Sequence, residues 1–216
     1  MKNSQTEAKV LLFDFDGTLA DTRTIGLRVL NELAEEFRFR HLPDEELEKA
    51  RNMSTQELIR FLGISRWRVA RIARRGLIKL HARMQEVQPI EKMPEILAQL
   101  HAHGFRLGIL TSNSHANVTI FLTQHKIDSF EFIHTSSKLF GKSRQIRKLM
   151  KEQKLTPEEI IYIGDETRDI EATQKVKIRM AAVTWGYNSS EVLASMKPHF
   201  LFDEPEQLLA FTEKEK

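Results

Sequence analysis

The sequence predicts an α/β fold in which a doubly wound parallel sheet carries an inserted small α-helical segment. The first supporting observation is that short apolar runs alternate with helical patterns from about residue 90 onward. The second is that residues 20–88 show helical periodicity without a convincing strand. With 216 residues, 41% of them apolar, the chain can bury one core and support a smaller insert.

Six short apolar runs predict the strands of this sheet. They are KVLLF (9–13), RLGILT (106–111), EFIH (131–134), IIYIG (160–164), RMAAVTW (179–185) and HFLF (199–202). Helix signals lie between and after them: Pro94 opening 94–103, Ser114 before 115–126, a capping box at 156–159 and a short helix at 205–211. Because strand and helix alternate, we expect a parallel sheet with helices on both faces.

The segment from 20 to 88 is predicted to form helices only. An apolar stripe with helical spacing runs from Ile25 to Phe37, a capping box spans Ser54 to Glu57, and an amphipathic pattern covers 65–84. An insert at this point lies over the carboxyl end of the sheet, where open α/β folds bind ligands. We therefore predict a core made of 1–19 and 89–216 and an insert made of 20–88.

Composition excludes several classes of site. The chain has no cysteine, which rules out disulfides, thiolate metal sites and a cysteine nucleophile. The 33 basic and 30 acidic residues are too balanced to indicate nucleic-acid binding by the whole molecule. No apolar run approaches the roughly 20 residues that cross a bilayer, and residues 1–9 lack the apolar part of a secretory signal. We therefore expect a cytoplasmic protein.

Asp14 and Asp16 directly follow the first predicted strand. Side chains two residues apart in an extended chain point to the same side, so these carboxylates are expected to lie together. Such a pair repels and raises one pKa unless a cation lies between them, and Mg²⁺ is a cation that prefers oxygen ligands. The alternative is a solvated strand end with turn-forming acids, where Gly17 allows the bend.

A second acidic group follows the strand 160–164. Asp165 ends this strand, Glu166 is next to it, and Asp169 comes one helical turn later. Acidic residues are also common at a helix amino terminus, which is the alternative explanation. Because acids follow two separate strands, we predict that they share one cation.

Two further segments carry groups of the opposite character. Thr111 and Ser112 end a strand just before a helix, where hydroxyls and backbone N–H groups suit a phosphate. Helix capping is the alternative there. Lys142 follows Gly141 at a helix start, where the helix dipole mildly disfavours a cation. This small electrostatic penalty hints at a functional task, and an ordinary surface lysine is the alternative.

Taken together, these segments resemble the haloacid dehalogenase superfamily of phosphohydrolases. DFDGT (14–18) resembles its first motif, Thr111 its second, Lys142 its third and GDETRD (164–169) its fourth, in the family's order. The insert is similar to the helical cap of the phosphoglycolate phosphatase-like and β-phosphoglucomutase-like subgroup, and VTWGYNS (183–189) also resembles phosphoglycolate phosphatase-like members. The resemblance implies a Rossmann-like core with a small α-helical cap domain.

The resemblance also implies a role for each residue. Asp14 is expected to be the nucleophile that forms an aspartyl phosphate, and Asp16 the general acid and then base. Dehalogenase members of the superfamily lack an acid two residues after the nucleophile. The presence of Asp16 therefore favours phosphoester chemistry. The expected Mg²⁺ ligands are Asp14, the Asp16 backbone carbonyl and Asp165, and either Asp169 or Glu166 completes the metal shell. The groups expected to bind the phosphate are Thr111, Ser112 and Lys142.

The leading hypothesis is a monomeric, Mg²⁺-dependent phosphatase for a small phosphorylated metabolite, phosphoglycolate being the first candidate. The segment from Leu58 to Gln85 contains eight basic and no acidic residues, and we interpret it as a solvated cap face with Trp67 anchored in the core. The same charge could attract an acidic substrate, nucleic acid or an anionic membrane. A phosphatase for nucleotides or nucleic-acid ends and a non-catalytic binding protein therefore remain as alternatives, although no nucleic-acid partner is expected.

Overall fold

The computed structural model describes residues 8–136 and 141–213. Its helices and strands, in chain order, are β1 (Val10–Phe13), β2 (Ala20–Asp21), α1 (Arg23–Phe37), α2 (Leu47–Arg51), α3 (Thr55–Phe61), α4 (Arg66–His81), β3 (Gln88–Pro89), α5 (Met93–Ala102), β4 (Arg106–Thr111), α6 (His115–Gln124), β5 (Phe130–Thr135), α7 (Lys142–Gln153), β6 (Ile160–Gly164), α8 (Thr167–Val176), β7 (Arg179–Val183), α9 (Ser190–Ser195) and β8 (Phe200–Phe202). Short 3₁₀ helices cover Asp44–Glu46, Met84–Glu86, Pro157–Glu159 and Pro205–Thr212.

The six predicted strands form one parallel sheet in the order β5-β4-β1-β6-β7-β8. The central strand β1 alternates between two hydrophobic clusters: Leu11 and Phe13 pack into one, and Val10 and Leu12 into the other. Both faces of the sheet are therefore buried, as a parallel sheet requires. The predicted α/β fold class is confirmed.

The strand order decides where the predicted site residues meet. Strand β1 lies between β4 and β6 and pairs with both in parallel, so that Phe13 is opposite Ile109 and Ile163. Parallel neighbours end at the same edge of a sheet. The residues that follow these strands, among them Asp14 and Asp165, are therefore brought side by side.

The predicted helical insert forms four helices, α1 to α4. The apolar stripe of α1 is buried, including Ile25, Val29 and Leu33. The first and last residues of the insert belong to a two-stranded antiparallel ribbon, in which β2 pairs with β3, so the prediction of helices only is wrong at the two ends of the segment. The division into a core (1–19 and 89–216) and a cap (20–88) remains a prediction, and we use the word cap for the latter segment.

Two local expectations differ from the structure. The capping box at Thr156 and Glu159 forms, but it begins only a three-residue 3₁₀ helix because β6 starts at Ile160. Trp67 is 78% exposed, so its predicted place in the core is wrong. It lies five residues before the buried Ile72, about 140° around the axis of α4, and therefore points away from the buried face.

Within the described ranges, none of the helices has both the length and the apolar character required to cross a membrane.

Candidate active site

Three aspartates meet at the carboxyl edge of the sheet. Asp14 follows β1, Asp165 follows β6 and Asp169 lies in the first turn of α8. All three side chains are buried, and one oxygen from each lies within 4.8 Å of the others. The structure thus brings together acids that the sequence separates by about 150 positions, as predicted from the strand ends.

Lys142 joins this cluster from the start of α7. Its Nζ donates to Asp14 Oδ2 at 2.7 Å and to Asp169 Oδ1 at 2.5 Å, and its side chain is only 9% exposed. Burial by itself lowers the pKa of Lys142, but the Asp14 and Asp169 carboxylates more than offset this and raise it. The alternative of an ordinary surface lysine is therefore wrong.

Asp165 is held by the turn that follows Asp14. Thr18 Oγ1 donates to Asp165 Oδ1 at 2.7 Å, and the Tyr187 backbone N–H donates to Oδ2 at 2.7 Å. Gly17 has a φ of +75°, and a Cβ at this position would lie 2.4 Å from Asp165 Oδ2. The turn therefore requires glycine both for its conformation and for the close approach of the carboxylate.

The charges of this cluster suit a divalent cation. Among the described residues, one ammonium group, that of Lys142, pairs with this cluster of three carboxylates, and the Arg168 guanidinium is paired with Glu166. Three buried carboxylates with one ammonium partner carry excess negative charge. Burial, and then the Glu166 and Asp14 carboxylates, raise the pKa of Asp165 well above its ordinary value. An all-oxygen donor set with this charge fits Mg²⁺.

Asp16 is not a member of this cluster of three carboxylates, and it is partly buried. Asn113 Nδ2 donates to both of its carboxylate oxygens at 3.0 Å, and burial, followed by the Asp14 charge, raises the pKa of Asp16 to about 7. The Thr111 side chain is buried, and its hydroxyl accepts from the Asn113 backbone N–H at 3.0 Å. The strand end at 111–113 thus contacts the same loop that carries Asp16.

A cavity of about 320 Å³ lies between Asp16 and the cap. Its core wall includes Asp16, Ser112 and Tyr187. Its cap wall is apolar and consists of Gly26 and Val29 from α1 and Ala73, Gly76, Leu77 and Leu80 from α4. A second cavity, of about 740 Å³, lies among α1, α2 and α3 and shares Gly26, Glu166 and Tyr187 with the first.

Sequence reasoning missed Arg168, which also lines the smaller cavity. Its guanidinium pairs with Glu166, and Glu166 also accepts from Thr55 of the cap at 3.2 Å. Glu166 is thereby engaged with Arg168 and the cap, whereas Asp169 lies in the aspartate cluster. Arg168 stands inside the fourth motif, but only the acids of that motif were considered from the sequence.

Comparison with known proteins identifies the family. The profile of haloacid dehalogenase-like hydrolases matches residues 11–183, a stretch that contains every site residue described above except Tyr187. The chain belongs to the haloacid dehalogenase-like hydrolase family. The resemblance drawn from the four motifs, and the prediction of a hydrolase of this family, are confirmed.

Relatives of this haloacid dehalogenase-like hydrolase carry more specific names. A phosphoglycolate phosphatase of Synechococcus elongatus is 32% identical over 202 residues, which cover 93% of this chain and 95% of that protein. Pyrophosphatase PpaX of Listeria welshimeri is 25% identical over 222 residues, covering 95% and 97%. The crystal structure of a predicted phosphatase from Clostridium acetobutylicum, at 21% identity, has a TM-score of 0.80 and covers 94% and 97%, which shows a shared fold.

Proposed function

We propose that this protein is a Mg²⁺-dependent phosphatase that hydrolyses a small phosphorylated carboxylic acid, such as phosphoglycolate, through an aspartyl phosphate on Asp14. One observation carries the proposal: a buried cluster of Asp14, Asp165, Asp169 and Lys142 lies at the sheet edge that also carries Asp16 and its cavity. This arrangement suits the transfer of a phosphoryl group, because it pairs a carboxylate nucleophile with groups that bind anions and cations.

The residues that would hold Mg²⁺ are Asp14, Asp165 and Asp169 with their carboxylates and Asp16 with its backbone carbonyl. When bound, the ion neutralises charge between the carboxylates and the phosphoryl oxygens. Asp169 is preferred to Glu166 because its oxygen lies in the cluster, whereas Glu166 is engaged by Arg168 and Thr55. Lys142 contacts Asp14 and Asp169 together and thereby fixes the direction of both carboxylates.

Asp14 and Asp16 divide the chemistry between them. An Asp14 oxygen attacks phosphorus, the bond from phosphorus to the ester oxygen breaks, and Asp16 gives its proton to the departing oxygen. Asp16, now a carboxylate, then takes a proton from the water that attacks the phosphorus of the aspartyl phosphate. This second step releases inorganic phosphate and restores the Asp14 carboxylate.

Thr111, Ser112 and Lys142 are proposed to bind the phosphoryl oxygens. Ser112 lines the cavity next to Asp16, and the Lys142 ammonium group lies 2.7 Å from the proposed nucleophile. Donors fixed in such positions typically contribute about 3 kcal/mol each to transition-state stabilisation. Thr111 is buried and contacts the Asn113 backbone, so it can also hold the shape of this loop.

The cavity favours a short substrate with a second anionic group. Its volume is about 320 Å³ and its cap wall is apolar. Arg168 is the only basic residue among the described residues of its lining. A guanidinium has five N–H donors, so Arg168 can bind a substrate carboxylate while it is paired with Glu166. The name of the Synechococcus relative, phosphoglycolate phosphatase, agrees with such a substrate.

The proposal is tested with a panel of phosphate esters assayed with Mg²⁺ and with EDTA. Phosphoglycolate is expected to be hydrolysed fastest, with loss of activity in EDTA and in Asp14→Asn. The panel includes pyrophosphate because of the name of the Listeria relative. It also includes nucleotides and nucleic-acid ends because of the basic segment from Leu58 to Gln85. Turnover of nucleic-acid ends that weakens steeply with salt would replace the proposed substrate class. Absence of turnover on every ester would refute the proposed activity.

A further inference from the structure

A chain of four polar side chains runs from the end of cap helix α4 to Asp16. His81 Nδ1 contacts Asn117 Oδ1 at 2.6 Å, Asn117 Nδ2 donates to Asn113 Oδ1 at 2.8 Å, and Asn113 Nδ2 donates to both Asp16 oxygens at 3.0 Å. Asn113 and Asn117 are almost fully buried, with exposures of 1% and 0%. The proposed catalytic mechanism leaves these two asparagines and the histidine without a task.

The donor and the acceptor of each hydrogen bond in this series of side chains can be assigned. The backbone N–H of Ser114 donates to Asn113 Oδ1 at 2.8 Å, which fixes the oxygen of that amide on the side away from Asp16. The NH₂ group of Asn113 must therefore face the Asp16 carboxyl group. Since the Asn117 NH₂ donates to the same oxygen, Asn117 Oδ1 is left to accept, and His81 serves as the donor through Nδ1. Both amide NH₂ groups and the His81 Nδ1–H thus have an acceptor, as buried polar groups require.

We propose that Asn113 is a positioning residue that holds the Asp16 carboxyl group for proton transfer, that Asn117 fixes the Asn113 amide, and that His81 ties this chain to the cap. The inference rests on the proposed function, in which Asp16 protonates the leaving oxygen. A general acid must come within about 2.6–3.2 Å of the atom that it protonates. Asp16 faces a cavity, so its side chain has room to turn, and Asn113 is the residue whose amide group reaches both of its carboxylate oxygens.

A residue that positions a general acid affects the hydrolysis rate in a way that depends on the leaving group, whereas a residue that only stabilises the fold does not. Protonation matters most when the leaving group is a strong base, and general acid–base catalysis typically contributes about 10²- to 10⁴-fold. Loss of the Asn113 contact should therefore slow the hydrolysis of esters with strongly basic leaving groups more than the hydrolysis of esters with weakly basic leaving groups. Damage to the fold or to metal binding slows both kinds alike.

The test compares phenyl phosphate with p-nitrophenyl phosphate, two aryl esters of similar shape whose leaving groups differ in basicity. The measured quantity is kcat/KM, because it covers the steps up to departure of the phenol and excludes the later hydrolysis of the aspartyl phosphate. In Asn113→Ala and Asn117→Ala, kcat/KM for phenyl phosphate should fall about tenfold, whereas that for p-nitrophenyl phosphate should fall less than about twofold. Equal losses on both esters would overturn the inference.

The His81 end is tested with variants that leave the core of the protein intact. His81→Leu removes the donor, so kcat/KM for phenyl phosphate should again fall more than kcat/KM for p-nitrophenyl phosphate, but by a smaller factor than in the asparagine variants. His81→Gln keeps an N–H donor and should have the wild-type ratio of the two kcat/KM values. His103→Leu is the matched control, because His103 also ends a helix, is exposed and contacts a carbonyl through Nδ1 at 2.8 Å. If His81→Leu behaves like His103→Leu, the link to the cap is wrong.

The wild-type protein separates failure of this inference from failure of the proposed function. If the wild-type protein hydrolyses no ester, phosphoglycolate included, the assignment of Asp16 as a general acid is refuted, and the positioning role is refuted with it. With turnover in the wild-type protein and unselective losses in the variants, the proposed phosphatase stands and the positioning role alone is refuted.

Discussion

Two groups of ion pairs in this protein both join carboxylates to basic side chains but lie in opposite surroundings. At the sheet edge, Lys142 contacts Asp14 and Asp169, and all three side chains are at most 9% exposed. Between α1 and the basic segment from Leu58 to Gln85, by contrast, the ion pairs lie at the surface. They are Arg75 with Glu36, Lys79 with Glu32 and Glu36, and Arg83 with Glu32, with side-chain exposures of 21% to 45%.

This comparison shows that burial, more than the number of charges, separates the candidate active site from a solvated surface. A buried charge retains its full influence on its neighbours, whereas water and salt screen an exposed pair. The basic segment from Leu58 to Gln85 is the most uneven charge pattern in the sequence, yet three of its basic residues are paired with acids of α1. The few buried charges at the sheet edge are the ones that we expect to control activity.

The largest effect is expected from Asp14→Asn. An amide at this position is a poor nucleophile, so kcat for phosphoglycolate should fall by at least about 10⁴-fold. The change also removes one of three mutually repelling buried carboxylates, so the protein should remain folded by circular dichroism. Asp128→Asn, at an exposed aspartate, serves as the control and should keep full activity. Unchanged turnover in Asp14→Asn would refute the assigned nucleophile.

The second prediction places one substitution in each charged group. Lys142→Met keeps the apolar stem but removes a buried partner of two carboxylates, so we expect a loss of about 3–5 kcal/mol in the free energy of unfolding. It should also lower kcat/KM about 10²- to 10³-fold. Arg75→Met breaks an exposed pair, so we expect a loss of less than about 1 kcal/mol and full activity. Similar losses in the two variants would contradict the distinction by burial.

Metal binding offers a test that does not depend on turnover. A ligand that binds only the folded protein stabilises it by about 2.7 kcal/mol at a hundred times its Kd. Mg²⁺ should therefore raise the melting temperature of the EDTA-treated protein, and Asp165→Asn or Asp169→Asn should greatly reduce this shift. Glu166→Gln should keep it, because Glu166 is engaged by Arg168 and Thr55. A shift lost in Glu166→Gln and kept in Asp169→Asn would reverse the assignment of the fourth ligand.

The fold and the convergence of the acids were predictable because both follow from local patterns. Short apolar runs mark the strands, and parallel strands end at one edge of the sheet, so the acids after β1 and β6 were predicted to share one cation; that β1 and β6 are neighbours is known only from the structure. The Gly17 turn and the position of Lys142 at the start of α7 were also visible as sequence features. The residue roles, the monomeric state and the location of the protein in the cell remain predictions.

The remaining contacts were not predictable because they depend on how the cap lies on the core. Arg75, Lys79 and Arg83 of the basic segment pair with acids on α1, which are 39 to 51 positions away in the sequence. The link from His81 through Asn117 to Asn113 depends on the same tertiary arrangement. Trp67 was misplaced for a related reason, since the pattern of α4 alone leaves open which face is covered.

A smaller effect on catalysis is expected at Arg168. If its guanidinium binds the substrate carboxylate, Arg168→Gln should raise KM for phosphoglycolate by roughly 10- to 150-fold, the equivalent of a charged hydrogen bond of about 1.5–3 kcal/mol. Ethyl phosphate lacks the carboxylate, and its KM should change little. Equal changes for both esters would show that Arg168 acts on the phosphoryl group or on the fold, not on the carboxylate.

The smallest effect is expected from Glu32→Gln on the exposed face. Hydrogen bonding to Lys79, together with the charges of Arg83 and Lys79, lowers the pKa of Glu32 in the folded protein. Because this pKa is lower than in the unfolded chain, the stabilisation is present above the unfolded pKa and is lost as the pH falls through the folded pKa. We expect a difference of about 0.2–1 kcal/mol between Glu32→Gln and wild type in urea unfolding at pH 7.

The difference should shrink in acid and in high salt, since protonation removes the charge of Glu32 and salt screens its partners. A difference that persists unchanged in acid would mean that Glu32 acts through packing instead of charge. A loss of unfolding free energy as large as that expected for Lys142→Met would contradict the comparison, because it would mean that an exposed ion pair stabilises the protein as much as a buried one.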